Sequence, residues 1–173
     1  MPAMIIMMGI QGSGKSTFCA KNFPEYTRIN LDTLRTRKKE KDALWLAINR
    51  KENIIIDNTN PTMDDRKKYI EAGKASQYEI IGCFMKSRLE ECIERNNSRN
   101  GKEKIPSIAI VCTSNKLEMP SYEEGFDKLF FVKITDTGYS VSEWSGCVFN
   151  KETCEEVAKY SRSIWKNYNE MNK

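Results

Sequence analysis

Histidine is absent from this chain of 173 residues. That absence removes Ser-His-Asp triads, Cys-His pairs and histidine-ligated metal centres. Proton abstraction then falls first to a carboxylate, with Lys, Tyr or Cys as poorer substitutes. Paired cysteine spacing is missing too. Cys19, Cys83, Cys92, Cys112, Cys147 and Cys154 form no CxxC unit, so no zinc framework is expected. The apolar opening AMIIMM at residues 3–8 is far too short to span a membrane and lacks the basic flank of a secretory signal, and no later run could span one. Reduced thiols in a cytoplasmic setting are the expectation. A strong charge bias is also lacking: the formal net charge is +4, compatible with a polyanionic substrate without requiring one. No repeat or low-complexity linker interrupts the chain.

What is present suits one domain with a full core. Apolar runs alternate with amphipathic stretches. Strands are predicted at residues 3–8, 26–30, 53–57, 78–85 and 129–134. Helices are predicted at 14–23, 32–50, 62–75, 87–98 and 107–117. This alternation reads as βαβ units: an α/β fold with a parallel sheet of about five strands and helices on both faces. Residues 1–134 form the expected core. Residues 135–173 read as an extension that opens on a turn-like DTGYS and carries a helix near 151–168, packed on the core.

Residues 9–16, GIQGSGKS, match G-x-x-x-x-G-K-[ST] between a predicted strand and a predicted helix. Glycines there let backbone N–H groups close around phosphate oxygens, and the helix start adds its positive end. Gly12, Ser13 and Gly14 would wrap the phosphates of ATP, Lys15 would reach the β- and γ-phosphates, Ser16 would help hold Mg²⁺, and Thr17 would reach the α-phosphate. A GTPase is disfavoured, because NKLE at 115–118 stops short of a guanine reader and no D-x-x-G switch precedes it. A motor ATPase is disfavoured because the third strand ends IIIDN and little chain remains for a lid. The P-loop kinase fold is the class that remains.

A kinase needs a group to take the acceptor proton and cations for the transferring phosphoryl charge. In RINLDTLR, residues 28–35, Asp32 sits just past the second strand, at the sheet edge that carries the phosphate loop. It is both the candidate general base and a candidate N-cap of the following helix. Arg35 is a candidate contact to a substrate phosphate. In DNTNPT, residues 57–62, Asp57 is placed to orient Mg²⁺ through water, and Asn58, Thr59 and Asn60 offer hydrogen bonds to substrate. In RNNSRNGKEK, residues 95–104, Arg99 is the candidate lid cation and Arg95 a candidate stacking partner for adenine. Arg37, Lys38 and Lys39 read as a solvated face.

GIQGSGKSTF, INLDTLR, IIIDNTNPTMDDR, ECIERNNSRNGKEKIP and EEGFD stand in the order found in polynucleotide 5′-hydroxyl kinases. Over residues 3–134 the chain resembles the kinase domain of bifunctional polynucleotide kinase/phosphatases. The resemblance implies that Asp32 activates a 5′-hydroxyl of DNA or RNA and that Arg35 binds the phosphate 3′ of the acceptor nucleotide. It also implies that Lys15 and Ser16 act on ATP and magnesium, and that Arg99 clamps the phosphates. Family members usually carry Arg just before the base, where this chain has Leu31. No D-x-D-G-T signature is present, so 3′-phosphatase activity is not expected. The alternatives are a P-loop kinase for another hydroxyl, in a small metabolite or a modified base of DNA, and a non-catalytic nucleotide-binding module. No obligate protein partner is evident.

Overall fold

Six strands make one sheet in the order β2-β3-β1-β4-β5-β6. The computed structural model describes residues 1–101 and 104–145. The strands are β1 (Ala3–Met8), β2 (Thr27–Ile29), β3 (Ile54–Ile56), β4 (Glu79–Met85), β5 (Lys128–Thr135) and β6 (Gly138–Glu143). The first five run parallel, and β6 folds back antiparallel on β5. Between them lie α1 (Lys15–Asn22), α2 (Leu31–Leu34), α3 (Arg37–Asn49), α4 (Met63–Ala75), α5 (Leu89–Asn97) and α6 (Ser107–Asn115). No helix among the described residues is long and apolar enough to cross a membrane.

The all-apolar β1 lies mid-sheet, where both of its faces need cover. Its period of two divides the core. Met4, Ile6 and Met8 pack with Leu44, Ala47 and Ile48 of α3 and Tyr69 and Ile70 of α4. Ile5 and Met7 pack on the other face with Phe18 and Cys19 of α1. Each buried Met, Ile, Leu or Phe among them stabilises the fold by about 1.5–3 kcal/mol relative to exposure. Cys19, Cys83 and Cys92 are buried free thiols, and burial pushes those of Cys19 and Cys83 up to about 12. Cys147 and Cys154, like the helix expected at 151–168, lie outside the described residues.

Two features depart from the sequence reading. The helix expected over 32–50 is two helices. Arg35 takes φ 66°, a left-handed conformation, and closes α2; Thr36 then caps α3 by accepting from Lys39 N. With a capping side chain at each start, Asn30 and Thr36, the backbone begins a helix twice rather than continuing one. The sixth strand was not expected. The boundary drawn after residue 134 falls inside β5, and β6 joins the same sheet, followed by a buried Trp144 whose ring meets Phe84.

Candidate active site

The carboxyl ends of β1, β2 and β3 are neighbours in the sheet, and each continues into one wall of a common cavity. From β1 comes the phosphate loop. Gly12 has φ 80°, and a Cβ there would stand 2.3 Å from the carbonyl oxygen of Cys92 on α5, so only glycine fits. Gly14, the residue before α1, has no side-chain cap, which leaves the first N–H groups of the helix open to an anion. Lys15 Nζ is buried and donates to the carbonyls of Gly9 and Ile10, each at 2.9 Å, and to Ser13 Oγ at 3.3 Å. Burial lowers its pKa to about 8, against the pull of Asp57.

Past β2, Asn30 is the N-cap of α2. Its side chain accepts from Thr33 N at 3.0 Å and donates to the carbonyl of Asp57. The capping role expected of Asp32 therefore belongs to Asn30, because the helix starts one residue earlier than the sequence suggested. Asp32 is left in the first turn, exposed, and it lines one cavity with Gly12, Gly14, Lys15, Ser16, Thr17, Asp57 and Arg99. A larger depression of about 660 Å³ adjoins it, lined by Ser16, Thr17, Arg28, Asn30, Asp32 and Arg99. Arg99 thus faces the candidate base and the phosphate loop together.

From β3 comes Asp57, with its side chain 1% exposed. Its Oδ2 accepts from Arg28 Nε at 2.8 Å and from Arg28 Nη2, while its Oδ1 is buried without a hydrogen-bond partner. An orphaned carboxylate oxygen on a residue that shares its cavity with Ser16 fits a magnesium ion reached through water. Magnesium characteristically takes one or two carboxylates and leaves the remaining positions to water and phosphate. The described residues contain no denser acidic cluster.

Other expected site residues are placed differently. Arg95 donates from Nε to the Gly12 carbonyl at 2.7 Å and lies against Cys92 Sγ. These contacts brace the loop. Asn58 accepts from Leu31 N at 2.9 Å and gives its amide hydrogens to Glu40 at 2.7 Å and Tyr69 at 3.1 Å. Asn60, at φ 43°, donates to the Met7 carbonyl at 2.7 Å. Asn58 gives both of its amide hydrogens to the protein and Asn60 gives one, and these bonds hold the loop. Thr59 lines the cavity, and its carbonyl accepts from Gly9 N at 3.0 Å. Arg35 is exposed and lines none of these cavities. Arg37 does so instead, in a depression shared with Gln11, Leu31 and Asp32.

Arg28 is the site residue that sequence reasoning missed. The available signal was a lone arginine in a short strand that ends at the phosphate-loop edge, one residue before an apolar position.

No family model matches the chain. The bifunctional polynucleotide phosphatase/kinase of Schizosaccharomyces pombe is 33% identical over 130 residues, covering 71% of this chain and 31% of that protein. A putative bifunctional polynucleotide phosphatase/kinase of Acanthamoeba polyphaga mimivirus is 32% identical over 135 residues, covering 73% and 32%. The chain spans about a third of the length of these curated relatives. Among solved structures, a gluconokinase from Sinorhizobium meliloti shares the fold with a TM-score of 0.55 at 19% identity, over 96% of this chain and 97% of that one.

Proposed function

We propose that this chain, a relative of the polynucleotide phosphatase/kinases with a P-loop kinase fold, transfers the γ-phosphate of ATP to a 5′-hydroxyl end of DNA or RNA. The observation that carries the reading is the shared cavity: Asp32, Lys15, Ser16, Thr17 and Arg99 line one space. The open N–H groups at the start of α1 bind the phosphates, and Lys15 turns from its carbonyl partners to the β- and γ-oxygens. Ser16 and Asp57 would hold magnesium, which would supply charge neutralisation on the phosphates. The acceptor oxygen attacks the γ-phosphorus as the bridging bond to ADP breaks, and the acceptor proton passes to Asp32. Arg99 faces the oxygens on which charge accumulates. Arg37, beside Leu31 and Asp32, takes the acceptor-side phosphate contact that the sequence had given to Arg35.

The test offers labelled ATP to a single-stranded 5′-hydroxyl oligonucleotide and to a panel of sugars and nucleosides. Label is expected on the oligonucleotide. Label on the small-molecule panel alone would move the assignment to a metabolite kinase, the reading kept open by Leu31.

Lys15 adds a pH signature. With its pKa at about 8 in the free site, it is largely neutral at higher pH, and triphosphate binding restores its charge. The complex then holds more protons than its parts, so ATP affinity falls as pH rises through about 8. Titration calorimetry at roughly pH 9, in two buffers of different ionisation enthalpy, should register uptake approaching one proton per ATP. Near roughly pH 6.5 that uptake should vanish. Equal proton counts at both pH values would exclude Lys15 as the responding group.

A further inference from the structure

A second cavity, of about 460 Å³, lies between α3 and α4, lined by Arg37, Lys41, Leu44, Trp45, Lys68 and Ala72 among others. Trp45 is 41% exposed, in a chain whose large apolar side chains are mostly buried. Leu44 and Ala72 give the cavity an apolar floor, together with the ring of the buried Tyr69.

The rim is positive. Glu40, at 4% side-chain exposure, is the one acid among the lining residues. Its charge is answered by Arg37 at 2.9 Å and Lys68 at 3.3 Å, with Tyr69 Oη and Asn58 Nδ2 donating at 2.7 Å each. Burial works against its charged form, yet the hydrogen bonds from Arg37 and Tyr69 and the charge of Lys68 hold its pKa below the usual carboxylate range. The acid is thus fully matched. Lys41 is in no ion pair among the described residues, so a net positive charge faces the opening.

This cavity continues the candidate active site. Arg37 lines both it and the depression that contains Asp32. Asn58, whose amide meets Glu40, lines the Asp32 side of the same wall. Along α3 the step from Arg37 to Trp45 is eight residues, about 12 Å of helix rise. An exposed aromatic surface flanked by cations that track a backbone is the chemistry that binds single strands independently of sequence.

We propose that the α3–α4 groove is a second substrate subsite, which takes a base downstream of the acceptor nucleotide in a single-stranded 5′-hydroxyl polynucleotide. Trp45 is its stacking surface, and Arg37, Lys41 and Lys68 meet the adjoining phosphates. The inference rests on the polynucleotide reading above, and it predicts a dependence on acceptor length.

The experiment compares steady-state constants for a ten-nucleotide 5′-hydroxyl oligonucleotide and for a nucleoside 3′-monophosphate. Trp45→Ala and Lys41→Glu should raise KM for the oligonucleotide about tenfold, with kcat unchanged and the short acceptor unaffected. Binding of the same oligonucleotide should quench tryptophan fluorescence in the wild type, and Trp45→Phe should remove that quench while Trp144 and Trp165 remain to report. If the oligonucleotide is phosphorylated and the variants match the wild type on it, the subsite falls and the function stands. Equal changes on long and short acceptors also overturn the subsite. If no oligonucleotide is phosphorylated, the function falls and the substrate subsite falls with it, whatever the quench.

Discussion

Asp32→Asn should lower kcat by about two to four orders of magnitude, the range for removing a positioned general base, with KM for ATP nearly unchanged. Asparagine keeps the shape and can still hydrogen-bond to the acceptor, but it cannot take the proton. The geometry makes this a clean test. Asp32 does not cap α2, since Asn30 does, and its carboxylate is in no ion pair among the described residues. The substitution should therefore leave the thermal midpoint where it was. Single-turnover transfer separates chemistry from product release, and full activity of the variant would remove Asp32 from the reaction.

The largest effect on stability is expected at Arg66. Its side chain is fully buried and paired two-pronged with Glu124, Nε to Oε2 at 2.6 Å and Nη2 to Oε1 at 2.8 Å. Its Nη1 also serves the carbonyls of Asn60, Pro61 and Glu118, at 3.2, 3.3 and 3.2 Å. Arg66→Leu leaves a carboxylate that is only 2% exposed with the Ser121 N–H as its one remaining partner, and it strands the carbonyls of Asn60 and Glu118. Breaking such a pair costs about 3–5 kcal/mol, because the remaining buried charge loses its counter-ion and one backbone N–H does not replace it. At about 2–4 °C per kcal/mol for a protein of this size, the midpoint should fall by roughly 6–20 °C. The double variant Arg66→Leu, Glu124→Leu should recover part of the loss, with the unserved carbonyls limiting the recovery. A single variant as stable as the wild type would contradict the burial of this pair.

These two residues illustrate what the sequence could and could not reveal. Strand and phosphate-loop positions were legible because buried parallel strands are continuous apolar runs and the loop needs glycine at set places. The place of Asp32 in the wall of the candidate site was legible because chain order carries it to the phosphate-loop edge. Its capping role was misread, since Asn and Asp compete for the same start and only the backbone decides between them. Arg66 and Glu124 sit inside the segments that carry the family resemblance, yet nothing local marks them as a buried pair. They are 58 residues apart and meet only once α4 is packed. The protein contacts of Asn58, Asn60 and Arg95 were not legible because polar side chains near a phosphate loop look alike in sequence. Whether an amide faces a substrate or a neighbouring carbonyl is a tertiary fact. β6 was missed because half-exposed GYSVSE has no apolar run and sits behind a turn signal.

The sheet order has a consequence for synthesis. β1 pairs with β3 and β4, with Met4 beside Ile54 and Ala3 beside Glu79. Translation adds about 5–20 residues per second, so this strand leaves the ribosome roughly 4–15 s before its second neighbour does. No other strand of the sheet waits as long. AMIIMM is also a six-residue segment without charge, proline or glycine, the kind that pairs with copies of itself when left open. Among the described strands, the one that anchors the phosphate loop is thus the one left open longest to pairing with other chains during synthesis.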